Sequence, residues 1–116
     1  MIFFFQIFSD HEITAVLHFA GLKSVNESVS MPLEYYNNNI SGTIILLETM
    51  VKFKVKQFVF SSSATVYGPP QKLPVDEPHQ VGQGITNPYG RTKYFIEEIL
   101  RDVVIADPEW KVTMLR

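Results

Sequence analysis

Gln57-Phe58-Val59-Phe60-Ser61-Ser62-Ser63 is the stretch that decides the fold. A short apolar run of β-forming residues that stops abruptly at three hydroxyls reads as a strand with a polar carboxyl end. In open α/β sheets, that end of the strand is where ligands bind. A loop follows, punctuated by Gly68-Pro69-Pro70, Pro74, Pro78, Gly82 and Gly84.

Downstream of the loop, Ile96, Ile99, Leu100, Val103 and Val104 lie on one helix face. Pro88 suits the start of that helix, and Asp107-Pro108 stops it. Val112-Thr113-Met114-Leu115 then reads as a further strand. Upstream, Tyr36, Ile40, Ile44, Leu47 and Val51 recur at helical intervals, which predicts a helix from Pro32 to about Lys52 with those residues inward. Thr14 to Ala20, closed by Gly21, is almost continuously apolar and predicts a strand buried on both faces.

The order is strand, helix, strand, helix, strand. It predicts an α/β fold: the second half of a doubly wound parallel Rossmann-type sheet. The half is incomplete, because no G-x-G-x-x-G follows any strand of residues 1–116. In a strand order of 3-2-1-4-5-6, the Thr14–Ala20 strand would adjoin the absent first strand and keep an open edge.

The chain has 116 residues, enough for one domain. Its 46% hydrophobic and 19% charged residues are those of a globular protein. Ten Lys and Arg against twelve Asp and Glu leave a net charge of −2, which argues against a nucleic-acid partner. The absence of cysteine excludes disulfides, thiol nucleophiles and thiolate metal sites, and His11, His18 and His79 show no metal spacing. The apolar segment Met1–Phe8 is far short of the ~20 residues that span a bilayer. It also lacks the basic region and cleavage pattern of a leader, so it predicts the remnant of a core helix continuing upstream. A cytoplasmic protein with no membrane partner is expected.

Tyr89 and Lys93 stand four residues apart near a helix start and share a face. At a separation of ~5 Å and an effective dielectric of ~20, an ammonium favours a phenolate by ~3 kcal/mol. That is a shift of ~2 pKa units, which brings a phenol toward the range of a general base. Ser63, at the strand end, offers a hydroxyl to the same ligand. Ser61 and Ser62 are expected to satisfy loop backbone. Glu97-Glu98 predicts a solvated helix face, and His18 a packed core residue.

With these residues, the chain resembles the extended branch of the short-chain dehydrogenase/reductase superfamily, and within it the UDP-glucose 4-epimerases. The resemblance is carried by His18-Phe19-Ala20-Gly21-Leu22-Lys23, Pro32-Leu33-Glu34-Tyr35-Tyr36, Gly42-Thr43, Phe60 to Gly68, and Asn87-Pro88-Tyr89-Gly90-Arg91-Thr92-Lys93. It implies that Tyr89 takes the proton from the sugar 4-hydroxyl, with Lys93 depressing its pKa and Ser63 helping to pass the proton. Phe19, Ala20, Gly21 and Lys23 would line an NAD site, Lys23 also meeting substrate. Asn38 or Asn39 would contact NAD from the long helix. Hydride would pass from sugar C4 to NAD and return to the other face, interconverting UDP-galactose and UDP-glucose. Sugar-nucleotide dehydratases carry an Asp-Glu pair where Ala64-Thr65 stand here, so elimination is not expected. The resemblance further implies a homodimer in the full-length enzyme. It makes residues 1–116 a partial NAD-binding domain without the glycine-rich loop or the C-terminal substrate domain, inactive alone. The alternative is a non-catalytic product that pairs with full-length epimerase.

Overall fold

A computed structural model describes residues 2–116. Helix α1 (Ile2–Asp10) precedes strand β1 (Val16–His18) and the short helix α2 (Val25–Ser30). A continuous helical run follows, made of α3 (Pro32–Tyr35), a π-turn (Tyr36–Ser41) and α4 (Gly42–Lys52). Strand β2 (Gln57–Ser61) leads through a 3₁₀ turn (Ala64–Tyr67) and a long loop to α5 (Pro88–Ala106) and β3 (Lys111–Leu115). The strands form one parallel sheet in the order β1-β2-β3, with Val16 opposite Phe58 and Phe58 opposite Val112. This is the expected half of a doubly wound sheet, and among the described residues no strand pairs with the outer edge of β1.

One face of the sheet carries the core. Phe58 and Phe60 of β2, with Val16, Val112 and Met114, pack against Leu46, Leu47 and Met50 of α4 and Ile96 and Leu100 of α5. Phe8 anchors α1 to this cluster through Phe53, with ring centroids 5.6 Å apart. Met1, the first residue of the predicted helix remnant, lies outside the described residues.

Three expectations need correction. The first strand is three residues long rather than Thr14–Ala20, and it is not buried on both faces: Leu17 is 61% and Phe19 59% exposed. Both crossover helices cover the Phe58 face, so Leu17 on the other face meets solvent. The long helix exists, but its inward stripe is Thr43, Leu46, Leu47 and Met50, and Ile44 and Val51 are exposed. The most buried stripe starts one residue earlier than that period, at Tyr35 and Asn39, and runs through the π-turn to Thr43 in steps of four. Glu97 is the third. It is fully buried rather than solvated, whereas Glu98 stays at the surface beside Arg101.

Local chemistry fixes the element ends. Asn87 caps α5 by accepting from the Gly90 amide at 2.8 Å, with Pro88 in the first turn. Ser24 caps α2 through the Glu27 amide at 3.3 Å. Gly68 closes the 3₁₀ turn at φ 62°, where a Cβ would lie 2.0 Å from the Gln83 carbonyl oxygen. Only glycine fits there.

Candidate active site at the carboxyl end of the sheet

The carboxyl end of β2 delivers Ser61, Ser62 and Ser63 in succession, and the start of α5 lies across it. Gly90 permits this close approach, since a Cβ there would stand 2.8 Å from Ile85 Cγ2 and 3.2 Å from the Thr65 side chain. Ser63 has extended backbone (φ −158°, ψ 149°) and caps the 3₁₀ turn. Its Oγ accepts from the Thr65 amide at 3.2 Å and the Thr65 hydroxyl at 2.9 Å. Neither bond uses the Ser63 proton, which is left to be donated outward.

Lys93 is 6% exposed, and its Nζ donates to the Ser61 carbonyl oxygen at 2.8 Å. The same ammonium stands 5.0 Å from the Phe60 ring centroid and 5.9 Å from that of Tyr89. Burial pulls the Lys93 pKa below the ordinary lysine value. Tyr89, half-buried on the first turn of α5, spends its phenol on no hydrogen bond among the described residues. The structure thus brings the three predicted residues Ser63, Tyr89 and Lys93 to one strand end. His18, predicted as a packed residue, is half-buried against Phe58 and Phe60. Burial, with the nearby Lys93 charge, lowers its pKa and keeps the imidazole neutral. Thr43 Oγ1 gives its proton to the Asn39 carbonyl at 2.6 Å, so it accepts from His18 Nε2 at 2.9 Å.

The segment after β1 forms the neighbouring wall. Phe19, Ala20, Gly21 and Lys23 are all exposed there. The two asparagines of the π-turn differ sharply. Asn39 is 4% exposed and its amide is saturated. Its Oδ1 accepts from the Leu22 amide at 2.9 Å and from Asn38 Nδ2 at 3.0 Å, while its Nδ2 donates to Leu22 O at 2.9 Å and Thr92 Oγ1 at 3.2 Å. Asn39 therefore pins the Gly21-Leu22 loop between the π-turn and α5. Asn38 is exposed beside it. Asn39→Ala strips the Leu22 backbone of both partners and should cost about 1–3 kcal/mol, read as a shift in the urea midpoint. An unchanged midpoint would show that water replaces the amide at no cost.

Two participants were not foreseen. Ser62 Oγ donates to Glu97 Oε1 at 2.6 Å rather than to loop backbone, and Thr92 supplies the oxygen that Asn39 uses. Glu97 was legible in principle, because it extends the four-residue spacing of Tyr89 and Lys93 and sits next to the inward Ile96. An open groove of about 1110 Å³, lined by Tyr67, Asp76, Glu77, Arg101 and Arg116, lies farther along the sheet end and includes none of Ser63, Tyr89 or Lys93. Among the described residues there is no metal-binding cluster and no helix long and apolar enough to cross a membrane.

A parallel sheet in the order β1-β2-β3, carrying Tyr-x-x-x-Lys on the helix after a serine-ended strand, is a half-domain of Rossmann type. The chain belongs to the NAD dependent epimerase/dehydratase family, whose model matches residues 3–116. It is 57% identical over 111 residues to UDP-glucose 4-epimerase of Bacillus subtilis, covering 96% of this chain and 32% of that one. The Homo sapiens UDP-glucose 4-epimerase is also 57% identical over 111 residues, with the same coverage. The crystal structure of UDP-glucose 4-epimerase from Bifidobacterium longum, in complex with NAD+ and UDP, superposes with a TM-score of 0.94 at 54% identity. That match takes in 97% of this chain and 33% of that one. The chain thus spans about a third of the length of the relatives it matches.

Proposed function

We propose that the chain is the catalytic-residue-bearing part of a cytoplasmic UDP-glucose 4-epimerase, which interconverts UDP-galactose and UDP-glucose through a transient 4-keto sugar. The observation that carries the reading is the convergence of Ser63, Tyr89 and Lys93 on the carboxyl end of β2. In this reading Tyr89 takes the proton from the sugar 4-hydroxyl, because its phenol has no internal partner to satisfy. Lys93, held by the Ser61 carbonyl, presents its charge to the same space. Ser63 donates its free proton to the sugar 4-oxygen.

The residues fit the nicotinamide side of NAD. The wall formed by exposed Phe19, Ala20, Gly21 and Lys23 adjoins Lys93, and Asn38 rather than the saturated Asn39 has amide groups to offer. The chemistry that NAD supplies there is reversible removal of hydride from sugar C4. The glycine-rich turn that would cradle the pyrophosphate is not among residues 1–116, so these residues form a partial NAD-binding domain. The proposal includes a homodimer of the longer enzyme, supported by Ile44 and Val51 of α4 and Phe95 and Ile105 of α5, apolar side chains left at the surface.

The test is a segment exchange, in which this chain replaces the 111 matching residues of the Bacillus subtilis relative. The hybrid is expected to interconvert the two UDP-hexoses, read by chromatography of the equilibrated sugars. A folded hybrid that retains NAD but leaves both sugars unchanged would overturn the proposal. The 116-residue chain alone should bind NAD more weakly than about 1 mM and show no turnover. Micromolar binding in isothermal titration would mean that the nicotinamide side suffices without the pyrophosphate cradle.

A further inference from the structure

Glu97 is a carboxylate with no exposure at all, in the third turn of α5, and the mechanism above does not use it. Its partners are specific. Oε1 accepts from Ser62 Oγ at 2.6 Å and from Arg116 Nε at 3.1 Å. Oε2 accepts from Arg116 Nη2 at 2.8 Å, and Arg101 stands 3.6 Å away. Ser62 in turn is tied to β3, its amide donating to the Leu115 carbonyl at 2.8 Å. One turn earlier on α5, Lys93 holds the Ser61 carbonyl. Residues 89, 93, 97 and 101 form one stripe along α5. Its middle two members grip consecutive residues, Ser61 and Ser62, of the strand end that presents Ser63.

We infer that Glu97 is a positioning residue of the catalytic centre. By fixing Ser62 it sets where the Ser63 hydroxyl and the Ser61 carbonyl lie, and hence where Lys93 sits relative to Tyr89. A plain ion pair to Arg116 would need no serine, and a plain strand anchor would need no charge. The inference rests on the proposed roles of Ser63, Tyr89 and Lys93, and it names the element that holds them in register. Misplacement of reacting groups by ~1 Å costs ~10²-fold in rate, so the predicted effect is on turnover rather than on substrate affinity.

Ser62→Ala is the decisive variant, because it cuts the link while leaving the Glu97–Arg116 pair intact. In the hybrid enzyme it should lower kcat ~10–10²-fold with KM within about twofold. Glu97→Gln should do the same, and the double variant should be no slower than the slower single. In the 116-residue chain itself, with lysine labelled at ¹⁵Nζ, Ser62→Ala should shift the Lys93 titration downward and move the Ser63 amide resonance. Full kcat in Ser62→Ala, or an unmoved Lys93 titration and Ser63 resonance, would overturn the inference. An inactive hybrid before any substitution would count against the proposed function alone, and the resonance measurements would still decide the role of Glu97.

Discussion

Tyr89→Phe should reduce turnover of the hybrid enzyme by ~10²–10⁴-fold, the range that a positioned acid–base group contributes. Its melting temperature and NAD content should stay as they were. The expectation follows from the surroundings of the phenol. Its oxygen makes no hydrogen bond among the described residues, so its loss leaves no partner unsatisfied. The ring itself stays, along with its contact to Lys93 at 5.9 Å. A phenylalanine can fill the place but cannot carry a proton. Chromatographic assay of UDP-galactose conversion decides it, and turnover within tenfold of the parent would remove Tyr89 from the mechanism.

The second large effect is on stability. Burial raises the cost of ionising Glu97, but hydrogen bonds from Arg116 and Ser62 and the charges of Arg116 and Arg101 outweigh it, and its pKa lies below the ordinary carboxylate value. A carboxyl depressed in the folded state stabilises above its unfolded pKa, and that contribution is lost as pH falls through the folded value. The parent chain should therefore keep this contribution at pH 7 and lose it on acidification below about pH 4. Glu97→Gln has none of it to lose. At pH 7 the variant leaves Arg116 facing a neutral amide. The cost should be ~3 kcal/mol, near the lower end for a broken buried pair, because the Arg116 side chain keeps 17% exposure and can reach water. Urea titrations at pH 7 and pH 3 test both statements together. The gap between parent and variant should narrow at the acid end, and equal stability at pH 7 would show that the pair adds nothing.

Much of the architecture was readable before any coordinates. The apolar run at Gln57–Phe60, the helix start at Pro88 and the stop at Asp107-Pro108 are local signals, and each element they announce is present. Ser63, Tyr89 and Lys93 were readable for the same reason, since a strand end and one helical turn place them without long-range information. What failed depends on distant parts of the chain. Leu17 looks like a core residue, but whether it is buried depends on which face of the sheet the crossover helices take. Ile44 and Val51 fit a helical period, but the period does not say which of two neighbouring stripes faces the sheet, and the one through Tyr35, Asn39 and Thr43 does. Glu97 carries the appearance of a surface charge, because its partner Arg116 lies 19 residues away at the end of another strand. Asn38 and Asn39 are indistinguishable as neighbours in sequence, and only the fold shows that one of them is already fully engaged.

The π-turn also bears on how this stretch of gene can vary. Substitutions along Tyr36–Ser41 change side chains one at a time, but an insertion acts on the whole helix beyond them. Adding one codon to a turn that already holds an extra residue would swing Thr43, Leu46, Leu47 and Met50 away from the sheet by roughly 100°, the angle of one helical residue, whereas losing one would be absorbed by ordinary winding. Placed ahead of Asn39, the same insertion would turn that amide away from Leu22. A gain of one residue is thereby penalised twice, once in the interior and once at the Gly21-Leu22 loop. This short segment should therefore resist lengthening more than shortening, and Asn39 within it should stay asparagine.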